Sequence, residues 1–124
     1  MLSSMERLLV ASNAARGARG KVKTRKYLAA LGYQVFEMEV VRWVQTPRGR
    51  LPVKRDQLHA DLGALSATEL LFVQVKAGQK NDVAGAVRGF KEHTFPPFAK
   101  LWVVFWKFRA RGPIVTDVTS QVVQ

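Results

Sequence analysis

The run Leu70-Leu-Phe-Val-Gln-Val-Lys76 is apolar except for its glutamine and its final lysine. Its many β-branched and aromatic residues predict a β-strand that is buried in a sheet. Because side chains alternate along a strand, Gln74 and Lys76 are expected on the same face. A buried amide and a lysine at a strand end both need partners, since an unpaired polar group in an apolar core costs free energy. We therefore expect this strand to carry functional side chains.

The segment before this strand contributes an acidic residue. The sequence predicts a strand over residues 58–65 with Asp61 inside it, joined to the next strand by the turn Ser66-Ala-Thr-Glu69. In such a hairpin the Asp61 carboxylate can face the same pocket as Gln74 and Lys76, and it would neutralise the lysine. Two interpretations stay open: Asp61 and Lys76 belong to an active site, or they form an ion pair that only stabilises the hairpin.

The first part of the chain predicts a long helix. Ser12 and Asn13 can cap a helix that runs from about Ala14 to Leu31 and ends at Gly32. Residues 1–12 are expected to form an arm or a short helix of their own. The side chains that fall on the core face at helical spacing are Lys21, Thr24, Tyr27, Leu28 and Leu31.

The remaining segments complete a mixed sheet. We expect a strand over residues 33–44, a basic loop or hairpin tip over 45–55, and a second helix from Asn81 or Asp82 to His93. Further strands are expected over residues 100–108, which are apolar on both faces, and over 113–118. The order of elements predicts an α/β fold in a single domain, residues 1–124. Its central sheet would have about five strands flanked by helices.

Composition narrows the class of protein. A chain of 124 residues suffices for one apolar core. Cysteine is absent, which leaves oxygen and imidazole as the available metal ligands. No apolar run approaches the length of a membrane span, and the first residues lack the basic-then-apolar order of a signal peptide. We therefore expect a cytoplasmic protein.

Positive charge is the strongest compositional signal. Twenty Lys and Arg residues outnumber nine Asp and Glu residues, which gives a formal net charge of +11 at pH 7. The first 55 residues hold twelve of the cations and three of the acids. Nucleic acid is the favoured partner, ahead of an anionic membrane or a role in solubility alone. The residues expected to contact DNA phosphates are Arg16, Arg19, Lys21, Lys23, Arg25 and Lys26 in the helix and Arg48, Arg50, Lys54 and Arg55 in the basic loop.

The residues around the buried strand suit phosphodiester hydrolysis. That reaction needs a divalent cation, an anion that holds it, and a positive group near the developing charge. Asp61 can anchor Mg²⁺, and the Gln74 side-chain oxygen or the Val75 carbonyl can complete the protein ligands. Lys76 would position or deprotonate the attacking water. His59 would alternate onto the face of Asp61, but we interpret it as an ordinary strand residue.

These residues resemble the PD-(D/E)xK nuclease superfamily, and within it archaeal-type Holliday junction resolvases and their phage relatives. The resemblance covers roughly residues 13–108 and is carried by Leu28-Ala-Ala-Leu-Gly-Tyr33, Asp56-Gln-Leu-His-Ala-Asp-Leu-Gly63 and Gln74-Val-Lys76. It implies a restriction-endonuclease-like fold and a homodimeric, Mg²⁺-dependent endonuclease that cleaves four-way DNA junctions, with Mn²⁺ as a substitute metal. Such enzymes act in DNA recombination and repair, in a prokaryotic or phage-infected cell.

Two positions depart from the family pattern. Gln74 stands where the family usually has glutamate, and Lys21 stands where resolvases place a metal-binding glutamate on the first helix. The missing carboxylate could come from Glu6, Glu37, Glu39 or Asp56. Two alternatives to a resolvase also stay open: a less selective restriction or repair nuclease of the same fold, and a DNA-binding protein that has lost catalysis.

Overall fold

The computed structural model describes the backbone of residues 4–109 and 111–123, and the side chains of residues 17–39, 42–52, 57–109 and 111–123. In chain order its elements are α1 (Ser4–Ala30), β1 (Gln34–Glu37), β2 (Glu39–Thr46), β3 (Gly49–Asp56), β4 (Leu62–Leu65), β5 (Leu70–Gly78), α2 (Val83–Phe90), β6 (Ala99–Lys107), β7 (Ile114–Asp117) and α3 (Thr119–Val122).

Five strands form one mixed sheet in the order β1-β4-β5-β6-β7. β5 and β6 run parallel, and the other neighbouring pairs in this sheet are antiparallel. Parallel neighbours need a crossover connection, and α2 lies in the connection between β5 and β6. The predicted α/β class and the mixed sheet of five strands are therefore confirmed, as is the predicted hairpin of β4 and β5.

The sheet separates two apolar layers. On one face, the fully buried Leu28 of α1 packs in a cluster with Val73 of β5. On the other face, Phe72 joins a buried cluster that contains residues of α2. Because side chains alternate along β5, Gln74 and Lys76 follow Phe72 onto the α2 face. The two residues of interest therefore lie on the side of the sheet away from α1.

α1 approaches the sheet closely at Gly20. A Cβ atom at this position would lie 3.3 Å from the Ala77 Cβ and 3.4 Å from a methyl group of Val75. The next turn carries Thr24, which is fully buried. Its hydroxyl donates to the Gly20 carbonyl at 2.7 Å and accepts the indole N–H of Trp106 at 2.8 Å. These contacts fix the distance of α1 from the ends of β5 and β6.

α1 is one continuous helix from Ser4, so the predicted division into an N-terminal arm and a second helix is wrong. Neither glycine nor proline interrupts residues 4–16. Ser12 and Asn13 are tolerated inside the helix, because each lowers helix stability by only about 0.7 kcal/mol or less relative to alanine. The first helix is consequently longer than its capping signal indicates.

The C-terminal end of α1 agrees with the prediction except at one residue. Gly32 adopts a left-handed conformation with φ 97°, and the Tyr33 N–H donates to the Leu28 carbonyl at 3.1 Å. Leu31 lies beyond the last helical residue and is 53% exposed. Its predicted place on the core face is therefore wrong, because the helix ends at Ala30 and Leu31 lies in the turn that follows.

The strand predicted over residues 33–44 is broken at Met38. The buried Met38 donates its N–H to the Asp61 carbonyl at 3.2 Å, and its own carbonyl accepts the Gln57 N–H at 2.9 Å. β1 therefore pairs with β4, whereas β2 pairs with β3 in a separate two-stranded sheet. We call this pair, residues 39–56, the basic hairpin. Its turn, Pro47 and Arg48, lies within the predicted loop or hairpin tip of residues 45–55, but residues 49–55 of that prediction form β3 because they pair with β2.

The strand predicted from Leu58 begins only at Leu62. Residues 57–59 form a short 3-10 turn in which Leu58 and His59 have left-handed φ angles of 55° and 60°. This turn redirects the chain from the basic hairpin back into the five-stranded sheet. Asp61 consequently lies just before β4 rather than inside a strand. The alternation that would have placed His59 beside Asp61 does not apply.

The chain after β7 forms α3, a single turn that the sequence pattern does not predict. The Thr119 hydroxyl accepts the Leu101 N–H at 2.9 Å and donates to the Asp117 carboxylate at 2.6 Å, which ties α3 to β6. Among the residues that the structure describes, no helix has both the length and the apolar character needed to cross a membrane.

Candidate functional site

Asp61 extends the sheet at the point where β4 begins. The ladder of β4 and β5 reaches the pair Leu62 and Val73, and the Asp61 N–H then donates to the Val73 carbonyl at 2.9 Å. Beyond this pair, the edge of β5 is hydrogen-bonded by the Asp61 side chain rather than by a strand: the Asp61 Oδ2 accepts the Val75 N–H at 2.7 Å. A carboxylate thus lies against the edge of β5, within the triplet Gln74-Val75-Lys76.

The Val75 carbonyl points to the same edge as this carboxylate. Within a strand the N–H and C=O of one residue point to the same side, and the Val75 N–H points at Asp61. On the other side of β5, the neighbouring strand is β6. Two kinds of oxygen therefore lie along the part of β5 that β4 does not pair with. One belongs to the Asp61 carboxylate and the other to the main chain.

Gln74 is buried, with 9% of its surface exposed. Its Oε1 has no hydrogen-bond partner among the residues that the structure describes. Gln74 lies between Val73, whose carbonyl accepts the Asp61 N–H, and Val75, whose N–H donates to the Asp61 carboxylate. An unpartnered buried acceptor costs about 1–3 kcal/mol. This position therefore favours a ligand that a carbonyl-type oxygen can bind, such as a cation or a hydrogen-bond donor.

Lys76 lies near the start of α2. There the Asp82 carboxylate accepts the Gly85 N–H at 3.0 Å and caps the helix. This backbone hydrogen bond, helped by the charges of Lys76, Arg88 and Lys80 and opposed by burial, holds the pKa of Asp82 below its ordinary value. Asp82 therefore supplies negative charge near Lys76, a role for which the sequence predicts only Asp61.

The donor set at this edge fits a hard divalent cation. Mg²⁺ prefers oxygen ligands and retains several waters, so a small number of protein oxygens suffices. The Asp61 carboxylate, the Val75 carbonyl and the Gln74 amide are all oxygen donors. The unpartnered Gln74 oxygen is the observation that supports the fit, because a bound cation would satisfy it. These residues could therefore hold Mg²⁺.

Lys21 of α1 forms ion pairs with two carboxylates. Its Nζ lies 2.7 Å from a Glu37 oxygen and 2.8 Å from a Glu39 oxygen, and Arg25 lies 2.8 Å from the other Glu37 oxygen. Partial burial alone would lower the pKa of Lys21, but the hydrogen bonds and charges of Glu37 and Glu39 outweigh it and hold this pKa above its usual value. Lys21 therefore stays a cation at neutral pH.

This acidic and basic cluster borders the Asp61 site. Met38 separates Glu37 from Glu39, and its N–H donates to the Asp61 carbonyl. Two of the four residues expected to supply a further carboxylate, Glu37 and Glu39, are thus placed near the site and bound to Lys21. The side chains of Glu6 and Asp56 lie outside the described residues.

A basic pocket of about 200 Å³ opens beside the ends of β5 and β6. Ala77 and Gly78, which follow Lys76 directly, form part of its wall. The Lys23 ammonium lies 5.5 Å from the centre of the Trp106 ring, within the range of a cation–π contact. The cationic and aromatic side chains that line the pocket are Arg19, Lys23, Lys107, Arg109, Trp106 and Phe108.

The residues predicted to contact DNA fall into three groups. Those with exposed side chains are Arg19, Lys23 and Lys26 on α1 and Arg48 and Arg50 on the basic hairpin. Those with acidic partners are Lys21 and Arg25. Those whose side chains lie outside the described residues are Arg16, Lys54 and Arg55.

The basic hairpin combines charge with an exposed ring. The Arg50 guanidinium lies 5.9 Å from the centre of the Trp43 ring, and Trp43 is 58% exposed. Because β2 and β3 pair only with each other among the described strands, this surface belongs to a sheet that is separate from the five-stranded one. A long ligand such as DNA could contact it and the α1 surface together.

Lys107 and Arg109 are pocket residues that the sequence analysis missed. The signal was available, because parallel strands joined by a crossover end at the same edge of a sheet. Lys76 lies near the end of β5 and Lys107 lies at the end of β6. Because these strands are parallel neighbours, their ends lie side by side. The pocket also needed the close approach of α1 at Gly20, which no local pattern predicts.

Comparison of this chain with known protein families, with curated proteins and with solved structures finds no match. The functional assignment therefore depends on the geometry of the Asp61 site and of the basic surface beside it.

Proposed function

We propose that this chain is a metal-dependent DNA endonuclease of the Holliday junction resolvase type, with a restriction-endonuclease-like fold. The single observation that carries the proposal is the 2.7 Å hydrogen bond from the Val75 N–H to the Asp61 carboxylate. It sets an acidic residue beside the strand end that bears Gln74 and Lys76. On the α1 side of the sheet, the basic pocket at the ends of β5 and β6 adds a surface suited to a DNA backbone.

Each residue of the site would have its own role in phosphodiester hydrolysis. Asp61, the Gln74 oxygen and the Val75 carbonyl would hold Mg²⁺, which when bound supplies the charge that polarises the phosphate and activates water. The Lys76 ammonium would position the attacking water and attract the phosphate oxygens. Asp82, whose charge acts on Lys76, would help keep that ammonium at the end of β5.

Two copies of the chain would suit a branched substrate. A symmetric homodimer presents two equivalent sites, which match the two strands that are cut to resolve a four-way junction. The exposed cations of α1 and of the basic hairpin would bind the junction arms through phosphates and through the shape of the DNA. The substrate class follows from this arrangement of charge together with the resemblance to resolvases.

A second candidate is a DNA-binding protein without catalysis. The ion pairs of Lys21 with Glu37 and Glu39 favour it, because they place a cation where the resemblance places a metal-binding glutamate. Such a protein would bind DNA equally well with and without a chelator, and it would cleave no substrate in Mg²⁺ or Mn²⁺.

Cleavage of an immobile four-way junction, compared with linear duplex and single strands, tests the proposal. We expect symmetric nicks in the junction with Mg²⁺ or Mn²⁺ and none with a chelator. Asp61→Asn and Lys76→Ala should abolish cleavage and leave binding intact. Asp117→Asn is the matched control, because Asp117 lies on β7 and an asparagine can still accept the Thr119 N–H. It should cleave like the wild type.

Each of the other possible results would point to a different conclusion. Equal cutting of linear duplex would identify a less selective nuclease, and binding without any cleavage would identify the second candidate. Cleavage that survives in both Asp61→Asn and Lys76→Ala would sink the assignment of the active site.

A further inference from the structure

His59, Glu92 and His93 come together outside the Asp61 site. Each offers one potential ligand atom, and these three atoms all lie within 4.8 Å of one another. His59 and Glu92 are exposed and His93 is half-buried, so an ion can reach them from solvent. The chain has two histidines and no cysteine, so both of its imidazoles belong to this cluster.

Both imidazole rings contact neighbouring elements. His59 follows Leu58 in a left-handed turn, and its ring lies so close to Gly89 of α2 that a Cβ atom at Gly89 would collide with it. The His93 ring stands edge-on to Phe95, with ring centres 6.5 Å apart at 75°. Ligands that are held before the ion arrives lose less conformational entropy when it binds.

The cluster also lies where a helix favours positive charge. Glu92 and His93 follow Lys91, the residue that caps the C-terminal end of α2, and their N–H groups donate to the Gly89 and Phe90 carbonyls at 3.2 and 3.1 Å. These hydrogen bonds continue the last turn and hold both ligands at the carbonyl end of the helix. That end carries partial negative charge, which attracts a cation.

The ligand types select the kind of metal. Two imidazoles and one carboxylate match the protein ligands of zinc sites in which water completes the coordination. Late first-row divalent metals bind imidazole well, whereas Mg²⁺ prefers oxygen. We propose that His59, Glu92 and His93 form a site for Zn²⁺ or a similar late transition metal. The ion would join the turn that precedes Asp61 to the end of α2.

Titration of the metal-free protein with Zn²⁺ by calorimetry tests this site, with Co²⁺ as a coloured probe of imidazole coordination. We expect one equivalent to bind and to raise the melting temperature, and Mg²⁺ to leave the Co²⁺ spectrum unchanged. His93→Gln and Glu92→Gln should each weaken Zn²⁺ binding by about tenfold or more. Asp61→Asn should bind Zn²⁺ like the wild type, which separates this site from the proposed nuclease site.

Gly89→Ala provides a test that removes no ligand. Its methyl group would displace the His59 ring, and alanine would not weaken α2. We expect normal helix content with weakened Zn²⁺ binding. The proposal is overturned if the wild type binds no Zn²⁺ at micromolar concentrations, or if His93→Gln and Glu92→Gln, shown to be folded by circular dichroism, keep wild-type affinity.

Discussion

At the scale of single residues, the surroundings of some side chains can be predicted from the sequence and those of others cannot. Gln74 is the clearest success, because an amide inside an apolar strand has to be buried, and it is. Lys21 is the opposite case. Its position on the core face follows from helical spacing, but its partners Glu37 and Glu39 come from strands whose place against α1 is set by the whole fold. Like charges on one helix repel each other, and Glu37 and Glu39 reduce this repulsion at Lys21 and Arg25.

Lys21→Met should lower the free energy of unfolding by about 1 kcal/mol at neutral pH, because it removes a partly buried cation shared by two carboxylates. The folded-state pKa of Lys21 is raised above 10.5. Its stabilising contribution is therefore complete at neutral pH and is lost as pH rises through that raised value. Chemical denaturation at several pH values measures the difference between variant and wild type.

Lys26→Met is the matched control, because Lys26 is exposed on the same helix. It should change stability little at any pH. A difference between Lys21→Met and wild type that stays constant well above pH 10.5 would contradict the role assigned to the ion pairs.

At the scale of elements, prediction succeeds where one local pattern dominates. β5, α2 and β6 each have a clear apolar period and form in the expected segments, although α2 ends at Phe90 rather than at His93. The break at Met38 could not be predicted, because β-branched residues continue on both sides of it. At the end of β1 the Met38 N–H donates to the Asp61 carbonyl and the Met38 carbonyl accepts the Gln57 N–H, and both partners are distant in sequence. The same tertiary pairing displaces Asp61 from the strand predicted for it.

The two glycines of α1 should respond in opposite ways to a larger side chain. A Cβ atom at Gly17 meets nothing within 4 Å, so Gly17→Ala should stabilise the protein by about 1 kcal/mol through helix propensity. Gly20→Val should destabilise it by about 1–3 kcal/mol, because its methyl groups would press on Ala77 and Val75. Urea denaturation provides both values.

Gly17→Val controls for the weaker helix propensity of a β-branched residue. If Gly20→Val is no less stable than Gly17→Val, the close approach of α1 to β5 does not limit stability, and the account given for Gly20 fails.

At the scale of the whole molecule, the described residues place positive charge on three surfaces: the exposed side of α1, the pocket at the ends of β5 and β6, and the basic hairpin. The concentration of charge in the first half of the sequence predicts two of these surfaces. The pocket was not predicted, because it combines residues from both halves of the chain. Its cations Arg19 and Lys107 become neighbours only through the packing of α1 on the parallel strands.

A shortened basic hairpin should weaken DNA binding without unfolding the protein. Residues 42–53 can be replaced by Asn-Gly, because Val41 and Lys54 face each other in the ladder and a two-residue turn can join them. We expect a wild-type circular dichroism spectrum and weaker binding to a four-way junction. The dependence of log affinity on log salt should become shallower by about 0.9 for each phosphate that the shortened protein no longer neutralises.

The matched control keeps the full hairpin and changes Arg42, Arg48 and Arg50 to glutamine. If charge explains the effect, the salt dependence of this control should be as shallow as that of the shortened variant. An unchanged slope in both variants would exclude the hairpin from the DNA interface.

The closure of the basic hairpin by Met38 also has an evolutionary consequence. Its backbone bonds to Gln57 and Asp61 fasten the two ends of the hairpin to the sheet. Insertions, deletions or recombination within residues 42–53 can therefore alter what the protein grips while Asp61, Gln74 and Lys76 keep their positions. In the proposed nuclease, separate sets of mutations would then change DNA recognition and catalysis.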